Sequence, residues 1–583
     1  MTKIVFQNFS FRYRNLKEPT LKNITLDINS GEKVLIAGQS GSGKSTLMHC
    51  VNGLVPFAYD GEISGKLFLD GIEPYEESLF KVSKIAGTIL QDQDSQFIGL
   101  TVGEDVAFVL ENEMTPLKEM QQKVSECLAT VDMLDYINHS PYELSGGQRQ
   151  RVSLAGVLSS QSEILLFDEP LANLDPVSGK NIISLIDDLH KETGKTILIV
   201  EHRIEDVLER SVDRVIVIDQ GEIIFNGKPC ELLRTDTLKN AGLREPLYVE
   251  AIKYSELKLE DDHKLDDINN CDHDTIKESV TNWFEDKLPT EEDFDTDKVL
   301  SVKDINFSFV SNTKVIDNVS FDIRKGEIVS ILGNNGAGKS TLSNLITGIL
   351  KPDSGEIVLD GEVINNLSVK AIGDKIGYVM QNPNNMTVKH MLRDEVTLGL
   401  RAGLEEADRF NFLNRWWRAK SKVCENTIET KFIDTIKKCK LYGYRNWPLS
   451  SLSYGQKRRA SIASVLAREP RVLILDEPTA GQDYSNYSEF MKFMNELSGY
   501  GIAIILITHD MHLALEYTNR SIVMSDGKKI ADDTPANIFS QEDIVKKANL
   551  RETSLGKLAD VIGIENKHGF IQHFIDFDRE RKR

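Results

Sequence analysis

A chain of 583 residues is too long for one hydrophobic core and predicts two to four domains. Its 40% hydrophobic and 27% charged residues are ordinary for a globular protein, and no stretch approaches the ~18 consecutive apolar residues that cross a bilayer. The formal net charge of −21, from 90 acids and 69 bases, disfavours contact with a nucleic-acid backbone unless a basic patch is segregated. The start, Met1-Thr-Lys-Ile-Val-Phe6, runs into strand-like sequence without a signal-peptide core, so the protein is expected inside the cell. Six cysteines (Cys50, Cys127, Cys230, Cys271, Cys424, Cys439) contain no CxxC and read as reduced structural thiols.

In chain order, the apolar run Val34–Ala37 reads as a buried strand and leads into Gly38-Gln-Ser-Gly-Ser-Gly-Lys-Ser-Thr46, a GxxxxGK[ST] loop opening an amphipathic helix. Gly38, Gly41 and Gly43 allow consecutive backbone N–H groups to turn toward phosphates, and the helix N-terminus adds partial positive charge. Lys44 is expected on the β- and γ-phosphates of ATP, with Thr46 closing the loop. Ser45 is expected on Mg2+, with Asp168 behind the metal. Leu144-Ser-Gly-Gly-Gln148 follows, then the strand Ile164–Phe167 ending in Asp168-Glu-Pro170. Glu169 can take a proton from the attacking water. The next strand, Thr196–Val200, ends near His202, 34 residues past Asp168, where a contact to the γ-phosphate is expected.

Residues 250–298 hold 17 acids and 6 bases, a net of −11, with few apolar residues, and read as a flexible acidic linker. His263, Cys271 and His273 within it fall short of a closed zinc ligand set. The chain then repeats itself. Ile328–Leu332 leads into Gly333-Asn-Asn-Gly-Ala-Gly-Lys-Ser-Thr341; Leu452-Ser-Tyr-Gly-Gln456 precedes Val472-Leu-Ile-Leu-Asp-Glu-Pro478; His509 lies 33 residues past Asp476. Ser145 to Asp168 and Ser453 to Asp476 are both 23 residues, so the motifs recur in register. Gly333, Gly336, Gly338, Lys339, Ser340, Thr341, Asp476, Glu477 and His509 take the roles of their first-half counterparts. Strands alternating with amphipathic stretches predict an α/β core in each half.

Together these motifs resemble the ABC ATPase family, whose Walker A, LSGGQ signature, Walker B and switch-histidine elements appear in order twice. The resemblance implies two fused P-loop nucleotide-binding domains, each with an α/β core, an antiparallel β edge region and an α-helical signature subdomain. Domain 1 is expected at 1–245, a linker at 246–298, domain 2 at 299–545 and a C-terminal tail at 546–583, whose last residues Arg579–Arg583 read as a solvated end. By position, Tyr13 and Phe309 match the aromatic that stacks on adenine. Gln91 and Gln381 match the Q-loop glutamine that senses Mg2+, water and the transporter subunit. Asp175 and Asp483 match the D-loop residue. In that family two domains pair head to tail. Each ATP then meets the opposite signature, here Ser145, Gly147 and Gln148 or Ser453, Gly455 and Gln456.

Tyr454 replaces the first signature glycine of the second half, so the two sites are chemically unequal, yet neither lacks a catalytic group. Ile89-Leu-Gln-Asp-Gln-Asp-Ser-Gln96 resembles the Q-loop of energy-coupling factor (ECF) transporter ATPases, with Met386 standing where the second half would repeat Gln96. This implies a peripheral subunit on the cytoplasmic face of the membrane, working with a transmembrane coupling subunit and a small membrane-embedded substrate binder. A tandem ABC factor acting on ribosomes or nucleic acid, and a fused sugar- or peptide-importer ATPase, are the alternative readings. Gln91 to Ser145 spans 54 residues and Gln381 to Ser453 spans 72, so the second signature subdomain is 18 longer. The extra sequence carries Trp416 and Trp417, which suit either an interface or internal packing.

Overall fold

The computed structural model describes all residues except 1, 91–95, 161, 173, 272, 286–296, 311, 312, 410–416, 480, 481, 483 and 583, and omits the side chains of 2, 285, 402–409 and 417–424. The chain divides into two units, residues 1–287 with 481–485 and 554–565, and residues 288–480 with 486–553 and 566–583.

In the first unit a six-stranded sheet runs in the order Ala86–Ile89, Ile164–Asp168, Thr196–Val200, Lys33–Ala37, Arg214–Asp219, Glu222–Gly227. All pairs are parallel except the last. The strands Lys33–Ala37, Ile164–Asp168 and Thr196–Val200 are buried at every position, as continuous apolar runs covered on both faces must be. A second, antiparallel sheet (Leu21–Asn29, Thr2–Tyr13, Gly61–Leu69) alternates inward and outward residues. Its Phe6, Phe9, Phe11 and Leu26 share one core with Leu47, Val51, Ile36, Leu166 and Leu198. The helix Lys44–Val51 is thereby held at the carboxyl end of the central strand, where open α/β sheets place their ligands.

The second unit repeats this plan. Its six-stranded sheet is ordered Ile376–Val379, Val472–Asp476, Ala503–Ile507, Ile328–Leu332, Arg520–Ser525, Lys528–Asp533, and its antiparallel sheet Thr313–Arg324, Lys298–Val310, Ser354–Leu359, Glu362–Val363. The signature subdomain of the first unit contains helices Val102–Asn112, Leu117–Thr130 and Gly146–Ser159, and that of the second Leu392–Arg409, Trp417–Lys438 and Tyr454–Leu466. Most of the 18 extra residues therefore lengthen two helices, from 11 to 18 and from 14 to 22 residues. Trp416 and the side chain of Trp417 lie outside the described residues. Among the described residues no helix is long and apolar enough to cross a membrane.

The segment expected as a flexible linker is folded over much of its described length. It forms helices Leu247–Tyr254 and Asp274–Glu285 around a short turn at Ile268–Cys271. Leu265, Cys271, Ile276 and Val280 are fully buried, and the Tyr248 hydroxyl donates to the carbonyl of Leu265, 2.5 Å. The acids sit outside and a sparse apolar stripe sits inside, so net charge concealed the packing. His263 is buried and structural: its Nδ1 accepts from the Glu260 amide, 2.9 Å, and its Nε2 meets the Thr275 hydroxyl, 2.8 Å. The tail is likewise ordered, with helices Ser554–Ile562 and Lys567–Lys582. In the first unit Ser554 Oγ accepts from the Tyr248 amide, 3.3 Å, and Lys557 pairs with Glu209, 3.0 Å. In the second, Arg579 is not a solvated end but donates to the carbonyls of Glu516 and Thr518, 3.2 and 2.7 Å.

Candidate functional site

Each GxxxxGKS loop leaves a fully buried strand and enters a helix at its lysine. Gly41, Gly43, Gly336 and Gly338 have positive φ, from 80° to 110°, which L side chains rarely adopt. At Gly38 a Cβ would lie 2.3 Å from the carbonyl of Ile218, and at Gly333 2.4 Å from that of Met524. Lys44 Nζ donates to the carbonyls of Gly38 and Gln39, both 2.7 Å, and Lys339 Nζ to those of Gly333 and Asn334, 2.7 and 2.9 Å. Both ammonium groups are thus held inside the loop, beside the amides that would cradle phosphate. Ser45 Oγ lies 3.4 Å from Asp168 Oδ1, and in the second unit Ser340 is near enough to Asp476 to lower its carboxyl. A hydroxyl beside one carboxylate is a hard-oxygen pair suited to Mg2+, which also draws ligands from phosphate and water. Burial pushes the carboxyls of Asp168 and Asp476 up, opposed by Lys44 and Lys339, so a cation there would relieve an unfavourable charge. In the second unit the Tyr378 hydroxyl donates to Asp476 Oδ2, 3.0 Å, and is itself pushed up to about 12 by burial and that carboxylate.

The residue after each Asp turns left-handed, φ 49° at Glu169 and 44° at Glu477, with its amide bonded to the neighbouring strand end at Val200 or Ile507. The two units then part. In the second, His509 Nδ1 lies 2.8 Å from Glu477 Oε1 and Thr508 Oγ1 donates to Oε2, 3.3 Å, so the carboxylate is gripped on both oxygens. In the first, the position before the histidine is Glu201, fully buried. It accepts from the amides of Leu171, His202 and Arg203, 3.2, 2.8 and 3.1 Å, and lies 3.2 Å from His202 Nδ1. Burial raises the Glu169 carboxyl; nearby His202 lowers it and Glu201 raises it again. Sequence reasoning missed Glu201 and Thr508, although a charged residue ending an otherwise apolar strand was visible.

Residues 21–172 and 316–480 match the ABC transporter family, and residues 235–307 match a family described as ATP-binding cassette cobalt transporter. Among relatives assigned as ABC transporter ATP-binding proteins, one from Clostridium perfringens is 47% identical over 99% of this chain and 98% of its own length. Others from Vibrio parahaemolyticus (46%, 99% and 97%) and Enterococcus faecalis (48%, 99% and 98%) are similar. The chain belongs to the ABC transporter ATP-binding family. Proteins of this family are ATPases, and so is this one. The solved structure of cbiO1 from Clostridium perfringens, part of the ABC transporter complex cbiONQ, aligns with 45% of this chain and 99% of its own at 33% identity, TM-score 0.37.

Ser145 caps the helix Gly146–Ser159 in a reciprocal capping box with Gln148, and Ser453 and Gln456 do the same for Tyr454–Leu466. Each signature thus presents a helix N-terminus, with Gly147 or Gly455 in its first turn. Asp175 caps helix Pro176–Thr193, accepting from the Ser178 amide, 3.0 Å, and hydroxyl, 2.7 Å. Gln91 and Asp483 lie outside the described residues. Gln96 closes its loop by accepting from the Leu90 amide, 3.2 Å; in the second unit the Met386 sulfur takes that place, 3.2 Å from the Met380 amide. The Tyr13 hydroxyl pairs with Thr46, 3.0 Å, and its ring meets Phe11 and Tyr59 edge-on, whereas Phe309 is 63% exposed and meets Phe307.

Proposed function

We propose that this ATPase is the energy-coupling subunit of an ECF-type importer for a vitamin or other micronutrient, metal ions included, and that both of its sites hydrolyse ATP. The reading is carried by the match of residues 235–307, between the two cassettes, to a cobalt-transporter ATP-binding family. The ECF-like Q-loop supports it, as do the apolar side chains exposed beside it, Ile98 and Leu100 in the first unit and Val388 in the second. These would dock a transmembrane coupling subunit, which works with a small membrane-embedded substrate binder while this chain stays peripheral on the cytoplasmic face. By family resemblance, the cassettes pair head to tail within one chain, each ATP meeting the opposite signature.

In each unit the loop amides and Lys44 or Lys339 bind and orient the phosphates. Ser45, Asp168 and Gln91, or Ser340, Asp476 and Gln381, would hold Mg2+, which neutralises charge on the β- and γ-oxygens. Tyr13 and Phe309 carry the adenine ring. Glu169 and Glu477 accept a proton from the attacking water, a contribution of about 10²–10⁴-fold, while His202 and His509 meet the γ-phosphate. Tagging the chain in its native membranes and identifying what co-purifies tests the partner assignment. Two polytopic proteins, one large and one small, are expected. Ribosomal proteins with no membrane partner would overturn the reading.

A further inference from the structure

Arg458, on the signature helix of the second unit, is 1% exposed, yet it forms no ion pair among the described residues and touches two functional segments at once. Its Nη2 donates to the carbonyl of Gln381, 3.1 Å, and to that of Glu477, 2.8 Å. Among the described residues its Nε and Nη1 have no hydrogen-bond partner. The guanidinium lies 5.9 Å from the ring of Tyr454, the residue standing for the first signature glycine, and 5.8 Å from that of Phe490. A buried charge adds little stability compared with an apolar group of like size, so its presence calls for another reason. The same position in the first unit is Gln150, neutral and shorter, whose amide donates to the carbonyl of Pro170. Tyr454 and Arg458 therefore depart from the first unit together, four residues apart and on one helix face.

We propose that Arg458 is a positioning residue for ATP hydrolysis in the second unit, tying the Q-loop at Gln381 and the Walker B strand end at Glu477 to one guanidinium on the signature helix. Movement of the signature helix or of the Q-loop then shifts the backbone that aims Glu477 at water. Tyr454 closes the outer side of this tie. The inference rests on Gln381 and Glu477 lining a hydrolysing site, and not on the identity of any membrane partner.

The test is steady-state ATPase kinetics and thermal unfolding of the full chain carrying Arg458→Met, Arg458→Gln or Arg458→Lys, with Glu477→Gln in parallel. Arg458→Met keeps the apolar stem and removes the tie. Read at the second site in a Glu169→Gln background, it is expected to lower kcat about 10-fold, since displacing a catalytic group by ~1 Å costs up to about 10²-fold, with KM for ATP and the unfolding midpoint held. Arg458→Gln should fall likewise, and Arg458→Lys, whose ammonium can still donate to one carbonyl, should recover part of the loss. Full turnover in Arg458→Met, or losses that follow the unfolding midpoint across the three variants, would overturn the role of Arg458 alone. Full turnover in Glu477→Gln would overturn hydrolysis at the second site and this role with it.

Discussion

Single residues distinguish the two sites more than the motifs do. Thr508 donates to Glu477 Oε2, whereas Glu201 in its place brings a second carboxylate toward Glu169. A carboxylate cannot donate there and repels the base. Thr508→Glu should therefore lower turnover at the second site by about 10-fold, less than the ~10²–10⁴-fold of losing a well-placed base outright, in a steady-state assay on a Glu169→Gln background. A second residue-scale outcome concerns stability. Asp187 is buried, and although burial alone would raise its carboxyl, Lys191 and Lys33 outweigh this and hold it below the usual range. A lowered carboxyl stabilises the fold above its unfolded value of about 3.9 and loses that contribution as pH falls through the folded value. The stabilising contribution of Asp187 should thus be lost only in acid, as pH falls below its unfolded value of about 3.9, by the same carboxylate linkage. Asp187→Asn should cost ~3–5 kcal/mol at neutral pH by stranding Lys33, read by denaturant unfolding.

At the scale of elements, the strands and the helices after each phosphate loop were legible because apolar runs, glycines and lysines stand at fixed spacing. The elements between the cassettes were not. Ile276 and Val280 lie four apart on helix Asp274–Glu285 and both are buried, but acids on the other faces give the segment the composition of a linker. Composition averages over a helix, whereas packing reads one face of it. Placing a charge in that stripe, Val280→Asp, should speed hydrogen exchange across 274–282 and lower the unfolding midpoint of the first unit. Leu265→Ala should cost ~2–5 kcal/mol as a large-to-small change at a fully buried position. Unchanged exchange in both variants would restore the linker reading.

For the molecule as a whole, the repeat was legible from register alone, since three motifs recur in order with one spacing of 23 residues conserved between halves. Missing from that reading was the tail, whose residues 554–565 are assigned to the first unit although their neighbours on both sides are assigned to the second. No local pattern encodes such a pairing, because Ser554 and Lys557 find Tyr248 and Glu209 some three hundred residues away. The residues missed at the site, Glu201, Thr508 and Arg458, share this property: each acts through neighbours far off in sequence. That both cassettes hydrolyse ATP is tested by separate Glu169→Gln and Glu477→Gln chains. Each is expected to lower ATPase turnover while ATP binding persists. A variant that turns over at the full rate would show its site silent and contradict the claim.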